Sequence, residues 1–182
     1  DALPLVQGRT YAGYDLESNA LNTLATVLTK QLRLAEAEPL HRRLLERQVH
    51  RHGPDNVIVG RTWNNLSHAL RAKGDYAAAE HALGEAMRVF ALTMGRDSPD
   101  MATAHHNLGG LRLESGRAAE ALAALDASLA LKRQLYGARG AQLVSTLGER
   151  ASALRQLGRL SGAEASLREA ESIAADAFAP ND

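Results

Sequence analysis

Histidine is the residue type best suited to bind a metal or to transfer a proton near neutral pH, and the sequence contains seven. His50 and His52 stand two apart, and His105 and His106 are adjacent, so on a helix the members of each pair point to different faces. His68 and His106 could approach each other from neighbouring helices, but no carboxylate is predictable beside them. We therefore expect groove or surface histidines, with no metal site and no cofactor.

Nucleophile and phosphate-binding motifs are missing as well. No Gly-x-Ser-x-Gly elbow surrounds the serines at positions 98, 128, 145 and 161. The pair Gly109-Gly110 precedes no Lys-Ser or Lys-Thr, so it does not form a phosphate loop. These glycines instead predict close helix packing, or open space in a groove. Because no residue set resembles an active site, we expect a protein that is not an enzyme.

Basic residues form one run, His41–His52. Binding of nucleic acid or of an anionic surface is conceivable for such a run. However, 21 basic residues balance 21 acidic ones over the chain, and no aromatic residue interrupts the run to stack on bases. We expect a solvated outer helix, with no nucleic-acid partner. No apolar run approaches the roughly 20 residues of a membrane helix, so we expect no membrane insertion and a cytoplasmic location. The absence of cysteine excludes disulfides.

The elements that position these residues repeat along the chain. The segment Thr62–Leu66 corresponds to Ala104–Leu108, which lies 42 residues later, and the same spacing separates several other residues. The aligned sets are Gly74, Gly116 and Gly158; Gly53, Gly95 and Gly137; and Ala37, Ala79, Ala121 and Ala163. Leu32 occupies the first copy's place in the first set. Four copies without an insertion indicate a repeat protein.

Each copy reads as two helices. In the second copy, Val57–Lys73 has apolar residues at helical spacing, and the pattern resumes at Tyr76 and ends at Met94-Gly95. Gly95 suits the left-handed position after a helix, and Ser98-Pro99 is typical of the next helix start. The corresponding linker of the third copy, at 137–140, lacks proline and is expected to be looser. The composition, rich in alanine and leucine, favours small, closely packed helices.

The pattern resembles the tetratricopeptide repeat. Its consensus spacings are met by Trp63, Leu66, Ala69, Leu70, Gly74, Tyr76, Ala79, Leu83 and Ala86. The period of 42 residues and the segment 94–102 are similar to the longer variant found in kinesin light chains, and many bacterial proteins carry such arrays. The Ala- and Arg-rich composition also suits a bacterial origin. The resemblance implies an all-α, right-handed α-solenoid of four helix-turn-helix repeats, with about eight antiparallel helices.

The boundaries follow from the period. We expect a tetratricopeptide domain at 15–182, with repeats at about 15–56, 57–98, 99–140 and 141–182, after an N-terminal linker or partial helix at 1–14. In the fourth copy, Glu171 takes the place of Leu45, Met87 and Leu129. A carboxylate at this position predicts a last helix that faces water.

The resemblance also implies a binding site. In such arrays the first helices of successive hairpins line a concave groove, where asparagine amides bond the backbone of an extended peptide. Here Asn65 and Asn107 occupy that position, while Thr23 and Glu149 replace it in the outer copies. The neighbouring groove positions are Asn22, Thr26, Arg61, Asn64, His68, Arg71, His106 and Arg155. The arginines predict a mildly cationic wall and an acidic partner.

The sequence therefore predicts a scaffold or adaptor module that binds a peptide or a partner helix. Two alternatives stay open. The chain could be a regulatory or sensing segment of a larger signalling protein, such as a bacterial Ser/Thr kinase. It could also be a self-association module that forms a homo-oligomer through an uncapped N-terminal end.

Overall fold

The computed structural model describes residues 10–11 and 14–177. A short antiparallel pair, β1 (Thr10–Tyr11) and β2 (Tyr14–Asp15), precedes the helices. The described helices are α1 (Leu16–Lys30), α2 (Leu34–His52), α3 (Val57–Lys73), α4 (Tyr76–Thr93), α5 (Pro99–Glu114), α6 (Ala118–Tyr136), α7 (Val144–Gln156) and α8 (Leu160–Ala177). One turn of 3-10 helix, Ala141–Leu143, leads into α7.

These eight helices confirm the predicted all-α fold of helix-turn-helix repeats. Helix α3 has the predicted bounds, and α4 ends one residue before the predicted Met94. Most of segment 1–14, predicted as a linker or partial helix, lies outside the described residues. Its described part belongs to β1 and β2.

In three of the four hairpins, a polar side chain caps the N-terminus of the first helix. Asp15 accepts a hydrogen bond from the backbone N–H of Ser18 at 3.1 Å, and Asn56 caps α3 in the same way. Ser98 accepts from the N–H of Met101 at 3.3 Å, with Pro99 in the first turn, as the sequence predicts. Helix α7 has no side-chain cap and follows the 3-10 turn. The linker without proline is thus the one whose following helix starts less regularly.

The turn inside each hairpin requires a left-handed residue. Gly74 has φ 83° and ψ 7°, and its N–H bonds the last turn of α3. Leu32 occupies the same place in the first hairpin with φ 58°, and it is the one residue other than glycine with positive φ in the described part of the chain. Its side chain is 72% exposed. The first turn therefore carries a conformational cost that the others avoid.

The chain divides into two compact units, Asp1–Thr93 and Met94–Asp182. The first contains α1 to α4 and the second α5 to α8, and within each unit consecutive helices pack against one another. The aligned alanines at positions 37, 79, 121 and 163 are all buried. Their small side chains let the helices approach closely, which is the role that the repeat pattern predicts.

Close packing is tightest at Gly109 in α5. A Cβ atom there would lie 2.5 Å from Cγ of Leu125 in α6, closer than real side chains allow. The prediction of close packing therefore holds for this glycine. Glu171 is exposed on α8, whereas Leu129 at the equivalent place on α6 is buried, so the last helix faces water as predicted. Within residues 10–11 and 14–177, no helix has the length and apolar character that crossing a bilayer requires.

Candidate functional site

The first unit brings two predicted groove residues into contact. Helices α1 and α3, the first helices of successive hairpins, touch each other. At this contact Nδ2 of Asn65 donates a hydrogen bond to Oδ1 of Asn22, with a length of 3.1 Å. Both side chains are half-buried. Because each amide both donates and accepts, the pair fixes the orientation of Asn65 and leaves hydrogen-bonding capacity on both residues.

Two cavities flank this amide pair. The larger, of about 470 Å³, is lined by polar residues that include Asn22, Gln48, Arg51, Arg61, Thr62 and Asn65. The smaller, of about 310 Å³, is lined by Thr26, Thr29, Lys30, His41, Asn65 and His68. Asn65 contributes to both cavities. The face formed by α1 and α3 is therefore indented on either side of one asparagine.

His41 lines the smaller cavity and is a candidate-site residue that the sequence did not predict. It is 1% exposed and lies where Leu83 and Leu125 stand in the next two copies. Thr29 donates its hydroxyl proton to the carbonyl of Ala25 at 2.8 Å, so Thr29 accepts at 3.3 Å from Nε2–H of His41. Nδ1 of His41 is left as a buried acceptor that has no hydrogen-bond partner among the described residues. The alignment of copies was the available signal, because it sets a histidine against two buried leucines.

Burial favours the neutral form of both histidines at the smaller cavity. Burial, followed by the nearby charge of His68, lowers the pKa of His41 to about 4. Burial and then Arg71 lower the pKa of His68 as well. The cavity therefore has polar but uncharged imidazoles in its wall. Within the described ranges, no three His, Asp or Glu side chains gather as metal ligands would.

The remaining predicted residues of the first unit differ in exposure. Thr26 on α1 and Asn64 and Arg71 on α3 are half-buried, whereas Arg61 is exposed. Arg61 lines the larger cavity, and Arg71 lies close enough to His68 to influence its charge. Positive charge is thus present on the predicted face.

In the second unit, the predicted residues differ from those of the first unit in exposure and in contacts. Asn107 on α5 is only 6% exposed, so little of its amide is accessible to a ligand. His106 is half-buried, and its Nδ1 lies 3.2 Å from Oγ1 of Thr146 and 3.6 Å from Oε2 of Glu149. Arg155 is exposed near the end of α7.

A buried lysine completes this polar cluster. Nζ of Lys132 donates to Oγ1 of Thr146 at 2.6 Å, and the lysine is 9% exposed. Burial lowers the pKa of Lys132, and the carboxylate of Glu149 partly offsets that effect. The ammonium group is therefore held inside the unit by a hydroxyl and a nearby carboxylate.

The cluster does not have the geometry of a catalytic triad. In a triad the two ring nitrogens of the histidine serve different partners, one the nucleophile and the other the carboxylate. Here the same nitrogen of His106 faces both Thr146 and Glu149. Thr146 is also fully buried, which closes its hydroxyl to a substrate. The arrangement is suited to holding charge, not to nucleophilic attack.

Three of four equivalent positions hold different residue types in the two units. Counting two repeat lengths along the chain, Asn22 corresponds to His106 and Asn65 to Glu149. Gln48 corresponds in the same way to Lys132, and Thr62 to Thr146. The first unit thus places neutral groups around a cavity where the second places ionisable groups in contact with one another.

The basic run lies on α2 and is paired with carboxylates. Glu17 pairs with Arg43 and Arg47 at 3.0 Å each, and Asp15 pairs with Arg47 and Arg51. Arg42 pairs with Glu38 at 2.9 Å. Every arginine of the run therefore has a carboxylate within about 3.1 Å. Burial opposes the charge of Asp15, but hydrogen bonds from Arg47 and Ser18 outweigh it and hold the pKa of Asp15 far below its usual value.

Paired helices, left-handed turns and buried small residues at a fixed period define a protein built of helical-hairpin repeats. The sequence profile of the Tetratricopeptide repeat family matches residues 16–91 and 100–176. The chain therefore belongs to the tetratricopeptide repeat family. No curated protein sequence matches it at a significant level.

Solved structures share the fold at low sequence identity. BtubC (BKLC) from P. vanneervenii has a TM-score of 0.82 and 22% identity, over 99% of this chain and 72% of that one. A kinesin-light-chain-like protein from Podosopora anserina with nearly identical TPR-like repeats has a TM-score of 0.74 and 17% identity, over 97% and 84%. MamA (MSR-1 C2) has a TM-score of 0.51 and 16% identity, over 90% and 99%. The predicted resemblance to kinesin-light-chain-like repeats is confirmed.

Proposed function

We propose that the chain is a non-catalytic interaction module that binds an extended peptide or a partner helix on the α1–α3 face of its first unit. Tetratricopeptide repeats are generally protein–protein interaction modules. The observation that carries the proposal is the position of Asn65, which is half-buried between two cavities and oriented by Asn22. A fixed amide can donate to and accept from a peptide backbone at low entropic cost.

The surrounding residues have distinct roles in this proposal. Asn65 bonds the ligand backbone, and Asn22 holds it in place. Thr26 and His68 border the smaller cavity, which can take an apolar or polar uncharged side chain. Arg61 and Arg71 add positive charge on α3, which favours an acidic partner. The smaller cavity therefore has two imidazoles and Lys30 in its wall, and the arginines of α3 add positive charge beside it.

The equivalent face of the second unit is less suited to this role. The amide of Asn107 is buried there, whereas His106, the equivalent of Asn64, is half-buried and Arg155 is exposed. This differs from an equal contribution of Asn65 and Asn107, which the family pattern alone suggests.

Selection from a random-peptide library tests the proposal. The purified chain and its Asn65→Ala variant are screened in parallel, with Gln134→Ala as a control that removes an exposed amide from α6. We expect a peptide motif that is enriched by the parent and the control and is lost with Asn65→Ala. Equal enrichment by all three proteins, or none by any, would refute binding at Asn65.

Self-association is a second candidate that one observation favours. Leu24 and Val27 on α1 are 36% and 44% exposed, although the equivalent Leu66 and Ala69 on α3 are each 1% exposed. Among the described residues, none covers α1 at Leu24 and Val27 as fully as Leu66 and Ala69 are covered on α3. Light scattering at two concentrations, on the parent and on Val27→Ser, distinguishes stacking of copies from a monomer.

The regulatory role in a larger signalling protein, the bacterial origin and the cytoplasmic location stay predictions.

A further inference from the structure

The larger cavity occupies the place that Lys132 fills in the second unit. Lys132 extends from α6 to the hydroxyl of Thr146, with its Nζ 2.6 Å from Oγ1. In the first unit the equivalent residue is Gln48, which is shorter by one atom and uncharged. A cavity of about 470 Å³ lies beside Gln48 and Thr62, the equivalent of Thr146. The first unit is therefore open at a point where the second is filled by its own side chain.

Three hydrogen-bond acceptors at this cavity have capacity left for a donor. Thr62 gives its hydroxyl proton to the carbonyl of Ile58 at 2.9 Å, so toward the cavity its oxygen can only accept. Oδ1 of Asn22 accepts one bond, from Asn65, and has a second lone pair. Oε1 of Gln48, a residue only 7% exposed, is buried without a partner in the described part of the chain. Buried acceptors of this kind are normally satisfied, so a donor is expected here.

The charged groups of the lining restrict what that donor can be. Arg51 and Arg61 contribute two positive charges, and Asp15 contributes one negative charge that Arg51 pairs with at 2.9 Å. A net positive lining disfavours a ligand ammonium group. Guanidinium N–H groups also favour an oxygen acceptor on the ligand. A carboxylate has no N–H or O–H to give to the acceptors of Thr62 and Gln48. The complementary group is therefore neutral, with donors at one end and an acceptor at the other.

A primary carboxamide meets both requirements. We propose that the larger cavity binds the side chain of a glutamine or asparagine residue of the bound peptide. The two N–H bonds of its NH₂ group donate to Thr62 and Gln48, and its carbonyl oxygen accepts from Arg51. This inference rests on the proposed function and adds to it the class of ligand side chain. The second unit has no such specificity, because Lys132 occupies the equivalent place.

Small-molecule titration followed by NMR tests this pocket without a known peptide. The probes are the N-acetyl methylamides of glutamine, glutamate, lysine and leucine, added to the ¹⁵N-labelled full chain. The glutamine probe should shift the side-chain amide signals of Asn22, Gln48 and Asn65, with an affinity about fivefold or more above that of the leucine probe, which is the effect of about one hydrogen bond. Equal affinity of the leucine probe, or tighter binding of glutamate or lysine, would overturn the inference.

Two variants separate the pocket from a general loss of structure. Gln48→Leu keeps side-chain size and removes the acceptor, and Thr62→Val removes the other acceptor with little change in shape. Each should lower the affinity for the glutamine probe about fivefold and leave the helical circular dichroism unchanged. Retained affinity in both folded variants would overturn the proposal.

The library selection distinguishes this inference from the proposed function. A motif that depends on Asn65 but contains no enriched glutamine or asparagine would refute the pocket and support the module. Binding of the glutamine probe at Asn22 and Gln48, with no peptide enriched, would support the pocket and refute the module.

Discussion

The amide of Asn65 donates a hydrogen bond to the side-chain oxygen of Asn22 at 3.1 Å. Two repeats later the same two positions hold Glu149 and His106, and the carboxylate lies 3.6 Å from the ring nitrogen. The repeat backbone sets the approach of the two helices, and the residue types set the chemistry. A neutral pair beside an open cavity can receive a ligand, whereas the ionisable pair belongs to a cluster that Lys132 completes. The two units thus differ in chemistry at equivalent positions.

We expect that a substitution in the turn between α1 and α2 can stabilise the chain. Leu32→Gly should raise the free energy of unfolding by about 0.5–1 kcal/mol, because the left-handed conformation costs leucine roughly 1–2 kcal/mol and glycine gives back part of that in chain entropy. Urea denaturation measures the change. Leu32→Ala is the control, since it removes the same exposed side chain but keeps a Cβ. Equal stabilities of the glycine and alanine variants would show that φ carries no cost here.

The contact of Gly109 with Leu125 is expected to tolerate no added methyl group. Gly109→Ala should lower the free energy of unfolding by about 1–3 kcal/mol, the usual cost of overpacking. Gly84→Ala on α4 is the matched control, because a Cβ at that helical position meets nothing within 4 Å. The control should be neutral or stabilise by up to about 1 kcal/mol through helix propensity. Thermal unfolding measures the stability of both variants. A Gly109→Ala protein that is as stable as the control would contradict the packing argument.

Burial of His41 is expected to make stability depend on pH. The folded pKa of about 4 lies below the ordinary value of 6.5, so between these values the unfolded chain binds a proton that the folded chain does not. The free energy of unfolding should therefore fall as the pH drops from about 6.5 toward 4, by at most about 3 kcal/mol from this residue. Half-buried His68, whose pKa is also lowered, adds to the trend in the same direction.

Replacing that histidine isolates its effect. His41→Leu, which introduces the residue found at positions 83 and 125, should reduce the loss of stability in acid. Denaturation at pH 7, 6 and 5 on parent and variant measures the difference, and His50→Gln on the exposed side of α2 controls for the loss of one imidazole. A gap between parent and variant that stays constant over this range would contradict a buried, neutral His41.

We expect the free energy of unfolding to depend on the hydrogen bond from the buried Lys132 to Thr146. Thr146→Val should destabilise the chain by about 1–3 kcal/mol, because it leaves a buried ammonium without its hydrogen bond. In a Lys132→Met background the same change should cost less, since no buried charge remains to be satisfied. A double-mutant cycle, measured by urea denaturation, gives the coupling free energy between Lys132 and Thr146. Additive effects of the two substitutions would rule out the interaction.

The fold could be predicted from sequence because its causes are local and periodic. Val57–Lys73 has an apolar stripe with a glycine at its end, and Ser98-Pro99 is a helix start in almost any context. The repeat period then supplies long-range packing, since each copy must meet its neighbour with the same face. The two short strands carried no such periodic signal and were not predicted.

The candidate site could be predicted only in part. The family pattern identified Asn22 and Asn65, and the structure brings them into contact. It did not indicate that Asn107 is buried, or that Lys132 reaches the partner of His106. Exposure and pairing depend on the lengths and directions of side chains from three helices, which a consensus of one repeat does not contain. Comparing residues two repeats apart supplies part of that information.

Affinity of one selected peptide for four proteins tests the central claim most directly. The peptide enriched by the parent is titrated by calorimetry into the parent, Asn65→Ala, Asn107→Ala and the control Gln134→Ala. We predict a loss of about threefold to tenfold for Asn65→Ala, the effect of about one hydrogen bond, with no loss for Asn107→Ala in the second unit and none for the control. Unchanged affinity in the folded Asn65→Ala protein would contradict binding on the α1–α3 face.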